Sequence, residues 1–200
     1  FCGGCMPRAG IMNPDPKLLE EILDLGGGKI VEMTLAPELP GSLDLILTLA
    51  RNGVVASLGH SDASLDDVLR AIDHGATHTT HFFNAMSPLH HREPGLAGAA
   101  LYSTDLSVEL VADGHHVHPW IMGLTVQNKT VMLTCLVTDA MSPAGLPEGE
   151  YESLGMKVIS RRGRLSLADH PETLAGSVLT MDRAVANMIN MTGMSISDAA

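Results

Sequence analysis

Residues 53–83, GVVASLGHSDASLDDVLRAIDHGATHTTHFF, decide how this chain is read. VVASLG, from Val54, is a short apolar run of strand type. SLDDVLRAIDHG, from Ser64, has helical spacing and helical punctuation. Ser64 can cap, Asp66 and Asp67 suit the positive end of the helix dipole, and Gly75 suits a left-handed residue after the last turn. ATHTTHFF then returns to strand. One polar residue follows each strand core: His60 after the first and His81 after the second, 21 residues later. That interval is about one strand–helix unit, so the two histidines are expected on neighbouring strands.

The same alternation extends outward. KIVEMT at residues 30–35 reads as a strand and LDLILTLAR at 43–51 as a helix ending near Gly53. Upstream, PDPKLLEEILDLGGG is a helix whose start Asp15 and Pro16 mark. Downstream, residues after Phe83 read as a loop containing Pro88, Pro94 and several glycines. SVELVADG is a fourth strand, PWIMGLTVQN a helix with Pro119 in its first turn, and VMLTCLVTDA a fifth strand. Residues 143–172 carry a weaker β pattern with Gly and Pro, and a last helix runs from Met181 to Thr192, stopped by Gly193.

Repeated strand–helix units predict an α/β fold with a parallel sheet. An open doubly wound sheet and a closed barrel compete. The first needs a glycine-rich phosphate turn in its first unit; Gly26–Gly28 instead precedes a strand, the wrong context. Polar placement favours the barrel. His60, His81, His116 and Asp139 each follow the carboxyl end of a different predicted strand, and in a barrel those ends share one mouth. The expectation is a TIM-like (β/α)8 barrel of the metal-dependent hydrolase type, incomplete at both ends, with residues 1–200 forming one catalytic domain.

Composition sets limits. The 200 residues are 45% hydrophobic, enough for a sizeable core. A formal net charge of −11 disfavours nucleic acid and anionic lipid. An anionic substrate therefore needs a local positive cluster. No run of about 18 apolar residues predicts a membrane span, and no secretory signal is visible. Three cysteines, an odd number, fit a reducing cytoplasm better than a disulfide framework. Cys2 and Cys5 form a lone CxxC, which reads as incidental, and Cys135 sits in an apolar run.

Ten histidines stand out more. Any single one is most simply a hydrogen-bonded core or loop residue. Two at equivalent positions of adjacent units point to one divalent cation. His74, His90, His91, His118 and His170 read as surface or loop residues. Asp139 suits a general base and acid beside a metal-activated water; as a helix cap it would look the same.

The segments TLAPE, GHSDA, THFFNAM, REPGLAGA, ADGHHVH, LVTDAMSPAG and TLAGSVLTM occur in one order with compact spacing. Together they closely resemble the signature segments of the N-acetylglucosamine-6-phosphate deacetylases of the amidohydrolase superfamily. The resemblance covers nearly the whole chain. It implies that His60 and His81 are metal ligands and Asp139 the catalytic carboxylate. It implies that His116 contacts the substrate amide, that Asn84 and Ala85 hold the sugar phosphate, and that Arg92 binds that phosphate from a homodimer partner's side. Leu174, Ala175, Gly176 and Ser177 would line the sugar pocket. Glu38, in TLAPE, is expected to be structural or to support a ligand. The implied cofactor is a divalent metal, zinc by default, with iron, cobalt or manganese also suited.

A guanidinium forms planar, bidentate contacts with phosphate, in accord with Arg92; an ion pair with Glu93 is the alternative. The chain departs from the family pattern in three places. It lacks the HxH segment and the metal-binding glutamate of HxEGP, so that Phe1 looks like the residue after EGP in an internal fragment. Met12 stands where many members carry a histidine before NP. The expected reaction is metal-assisted amide hydrolysis giving acetate and glucosamine 6-phosphate. A relative cleaving another N-acyl or cyclic amide, a non-catalytic sugar-phosphate sensor and a purely structural protein are the alternatives.

Overall fold

The computed structural model describes residues 5, 6 and 11–200. Phe1 and Cys2, and with Cys2 the CxxC reading, lie outside them. The chain divides into two compact units, one up to Val108 and one from Glu109.

The first unit contains α1 (Pro16–Gly26), β1 (Glu32–Leu35), α2 (Ser42–Arg51), β2 (Val55–Leu58), α3 (Leu65–Asp73), β3 (Ala76–Thr79), α4 (Gly95–Tyr102) and the start of β4 (Ser107–Val111). Its strands pair in sequence order and all in parallel, with Glu32 opposite Val55, Ser57 opposite His78 and His78 opposite Ser107. This is the parallel α/β sheet expected from the alternation.

Helix boundaries follow local chemistry. Asp15 accepts hydrogen bonds from the backbone N–H of Lys17 and Leu18, Pro16 occupies the first turn, and Gly27 closes α1 at φ 53°. Ser64 and Asp67 form a reciprocal capping box at the start of α3. The core gathers Ile46, Leu49, Leu58, Val68, Phe82, Leu96 and Leu106, all fully buried. Each such side chain contributes about 1.5–3 kcal/mol.

One helix is a correction. The segment expected as a loop after Phe83 holds α4, whose residues Gly95 to Ala100 are all buried. Helix α4 packs against α3. Its buried stretch, Gly95 to Ala100, holds only small and apolar residues and no polar face, so the periodicity that reveals a surface helix is absent. Its close packing needs glycine: a Cβ on Gly98 would lie 2.7 Å from Cβ of Pro94.

The second unit holds the end of β4, α5 (Pro119–Lys129), β5 (Thr134–Val137), β6 (Gly149–Ser153), β7 (Met156–Arg161), β8 (Arg164–Leu167), α6 (Met181–Thr192) and α7 (Ile196–Ala199). Strand β5 neighbours β4. It is shorter than VMLTCLVTDA suggests, because Val131–Leu133 coil into a 3-10 turn. The weak β region resolves into an antiparallel meander, β6-β7-β8. Helix α6 packs on α5 and β5, with Ala184 and Met188 buried. Asn187 Nδ2 donates to the carbonyl of Ala112, 2.8 Å away, tying α6 to the end of β4. Among the described residues no helix is long and apolar enough to cross a membrane.

Candidate functional site

Four polar residues recur at one structural position. His60 follows Leu58, His81 follows Thr79, Asp113 follows Val111 and Asp139 follows Val137, each two residues beyond the end of a parallel strand. Three of them have left-handed backbones: His60 at φ 47°, His81 at φ 29° and Asp139 at φ 46°. Non-glycine residues reach that region at a cost of about 1–3 kcal/mol, and sustained strain of this kind clusters at functional sites.

In the first unit, the two histidine rings meet. Nε2 of His60 lies 2.9 Å from Nε2 of His81. The ring centroids are 4.7 Å apart and the planes cross at 82°. Two Zn–N bonds of about 2.0–2.1 Å at a tetrahedral angle would set such nitrogens about 3.3 Å apart. The observed convergence is close to that, so the donor pair fits a shared cation.

The frame around this pair is specific. Gly59 precedes His60, and a Cβ there would fall 2.3 Å from Cγ2 of Thr80. Ser61 Oγ donates to Glu38 Oε2 at 2.7 Å, and Asp62 N–H donates to Glu38 Oε1 at 2.8 Å. Glu38 thus clamps the turn that carries His60, which accords with a supporting role. Ser61 N–H also donates to the carbonyl of Ala85, and Ser87 N–H to that of Ser61. Asn84 Nδ2 donates to the carbonyls of His81 and Phe82, 3.1 Å from each. Asn84 and Ala85 therefore belong to the same small network as the two histidines. A cavity of about 650 Å³ opens beside it, lined by His60, His81, Thr34, Thr80 and Met12.

Arg92 is exposed on a loop. Its Nη1 lies 2.7 Å from His91 Nε2. Glu93 is engaged elsewhere, accepting from the N–H groups of Leu65 and Gly95. Of the five histidines expected at the surface or in loops, His90, His91, His118 and His170 are exposed. His74 is half-buried, with Nδ1 2.7 Å from the carbonyl of Arg70 at the end of α3. His78, which the sequence did not single out, is buried with Nδ1 2.5 Å from Ser107 Oγ.

The second unit holds His116 and Asp139. Asp139 is exposed. Its backbone is pinned to the 174–177 loop: Ser177 N–H donates to the carbonyl of Asp139 at 2.8 Å, and Met141 N–H to that of Ser177 at 3.0 Å. Ser177 Oγ donates to the carbonyl of Thr138. Gly176, at φ 64°, packs so closely that a Cβ would lie 2.9 Å from that same Asp139 oxygen. Ala175 N–H donates to Leu165, and Leu174 bridges Ser166, anchoring the loop on β8.

His116 has a partner that sequence reasoning missed. Its Nδ1 lies 2.7 Å from Oδ2 of Asp113, and the two side chains are 6% and 5% exposed. Burial pushes the Asp113 carboxyl up, but the hydrogen bond and charge of His116, with backbone N–H groups of His115 and His116, outweigh it and hold the group below the usual carboxylate range. The signal was present: Asp113 lies at the same distance beyond β4 as the other three residues beyond their strands.

No protein-family model matches the chain. An N-acetylglucosamine-6-phosphate deacetylase of Bacillus subtilis (strain 168) is 40% identical over 197 residues, 98% of this chain and 49% of that protein. An N-acetylgalactosamine-6-phosphate deacetylase of Escherichia coli O157:H7 is 39% identical over 181 residues, 90% of this chain and 47% of that protein. Among solved structures, an N-acetyl-D-glucosamine-6-phosphate deacetylase mutant from Mycobacterium smegmatis, in complex with N-acetyl-D-glucosamine-6-phosphate, superposes with a TM-score of 0.92 at 36% identity, covering 98% of this chain and 51% of that one. The chain spans about half the length of the curated relatives it matches. Over that span it is similar to N-acetylglucosamine-6-phosphate deacetylases.

Proposed function

We propose that the protein containing this chain hydrolyses the acetamide of N-acetylglucosamine 6-phosphate, giving acetate and glucosamine 6-phosphate. The observation that carries this reading is the convergence of His60 and His81 from the ends of adjacent strands. In this reading the parallel strands are part of a (β/α)8 barrel, and residues 1–200 are part of its catalytic domain.

His60 and His81 would hold a divalent cation, with zinc the natural choice for imidazole donors and iron, cobalt or manganese the other candidates. When bound, such an ion polarises the acyl oxygen and acidifies water. Asp139 accepts a proton from the attacking water and returns it to the leaving amine. His116 contacts the substrate amide. Arg92, with Asn84 and Ala85, takes the 6-phosphate, and the loop Leu174, Ala175, Gly176 and Ser177 lines the sugar. Exposed Arg92 is free of Glu93 and suits a role in a partner's site, so a homodimer accompanies this reading.

A second substrate has support from one observation: the Escherichia coli relative is named for N-acetylgalactosamine 6-phosphate. The test is acetate release by the full-length protein from both 6-phosphates and from unphosphorylated N-acetylglucosamine. Turnover of the glucosamine derivative with strong preference for the phosphate supports the proposal. Indifference to the phosphate removes the role given to Arg92, and preference for the galactosamine derivative selects the second substrate.

A further inference from the structure

Asp113 occupies on β4 the position that His60, His81 and Asp139 occupy on their strands, yet its carboxylate is turned away from solvent. Oδ1 accepts from the backbone N–H groups of His115 and His116, both at 2.8 Å. Those two bonds close the DGHH turn. They leave Oδ2 unnecessary for the turn, and Oδ2 faces His116 Nδ1 at 2.7 Å. An ionised carboxylate only accepts hydrogen bonds, so Nδ1 must carry a proton and Nε2 becomes the ring atom available to a ligand.

We infer that Asp113 is a positioning residue, fixing the rotamer and tautomer of His116 so that Nε2 faces the substrate amide as a hydrogen-bond acceptor. The inference deepens the deacetylase reading and rests on it. With the proton held on Nδ1, Nε2 presents its lone pair and accepts a hydrogen bond from the substrate amide N–H. Asp113 itself touches no reacting atom.

Asp113→Asn separates this role from a structural one. The two backbone N–H groups hold Oδ1 in place, so the amide nitrogen replaces Oδ2 and donates to His116 Nδ1. The ring proton is thereby driven to Nε2. In the full-length protein we expect ¹⁵N NMR to find Nδ1 protonated in the native form and unprotonated in the variant. We expect kcat to fall about a hundredfold or more with KM little changed. In a His116→Gln background, Asp113→Asn should add no further loss. Native-like kcat in Asp113→Asn overturns the inference, as does a loss that multiplies independently with that of His116→Gln. If the variant fails to fold, the native spectrum alone decides: an unprotonated Nδ1 in His116 overturns it. If the native protein releases acetate from no sugar phosphate, the deacetylase reading fails, while the tautomer measurement still judges the link between Asp113 and His116.

Discussion

Nε2 of His60 lies 2.9 Å from Nε2 of His81, although the two residues enter from different strands and each holds a left-handed backbone. The cation proposed for this pair predicts that His60→Ala and His81→Ala each lose most of the bound metal while the fold persists. Elemental analysis of the purified full-length variants, beside circular dichroism, checks this. Full metal retention in either variant removes that histidine from the site.

Glu38 offers a test at one remove from the pair. Its two oxygens hold Ser61 and Asp62, the residues directly after His60. Glu38→Ala should cost about 1–3 kcal/mol, because buried Ser61 loses its acceptor. Metal affinity should fall about 10–100-fold, the usual effect of removing a group that orients a ligand. Chemical denaturation and competition with a chelator measure the two effects separately.

Asp139 is predicted to act after binding. Asp139→Asn should retain metal and substrate affinity yet lose about a hundredfold to ten-thousandfold in kcat. Steady-state kinetics and a metal assay on the same preparation decide it. Unchanged kcat would end the assignment.

Acid sensitivity is predicted at α3. The hydrogen bond from the Ser64 side chain holds the Asp67 carboxyl below its ordinary value, with Arg70 adding to the effect. A group lowered in the folded state stabilises fully above its unfolded pKa, about 3.9. That contribution is lost as pH falls through the folded value. Asp67→Asn should therefore be less stable than the native chain at pH 7, and the gap should close below about pH 4. Thermal melts across that range follow it; a gap that does not change with pH counts against the capping box as its source.

How much of this was legible varies with the kind of signal. Helices α1 and α3 announce themselves through Asp15, Pro16, Ser64 and Gly75, residues whose local chemistry is nearly independent of context. Helix α4 does not, because GLAGAA is buried on every side and leaves no polar stripe to count. The meander was blurred for a different reason. Its two-residue turns, Leu154–Gly155 and Arg162–Gly163, have positive φ at both positions, yet each begins with a residue other than the Asn or Asp that usually marks such a turn. At the site, His60 and His81 were legible because strand and helix periods place them one unit apart. Asp113 was overshadowed by the histidines after it, since a contact between Asp113 and His116 depends on how the DGHH turn closes.

The left-handed conformations at His60, His81 and Asp139 set endurance against activity. Glycine would adopt those backbones without steric cost, so a protein selected only to resist heat has reason to place glycine there. Such a protein would be easier to keep folded and, under the proposed roles of these side chains, would lose its turnover. A library screened for thermal tolerance alone should drift toward glycine at these positions, and only simultaneous selection for turnover would hold the side chains in place.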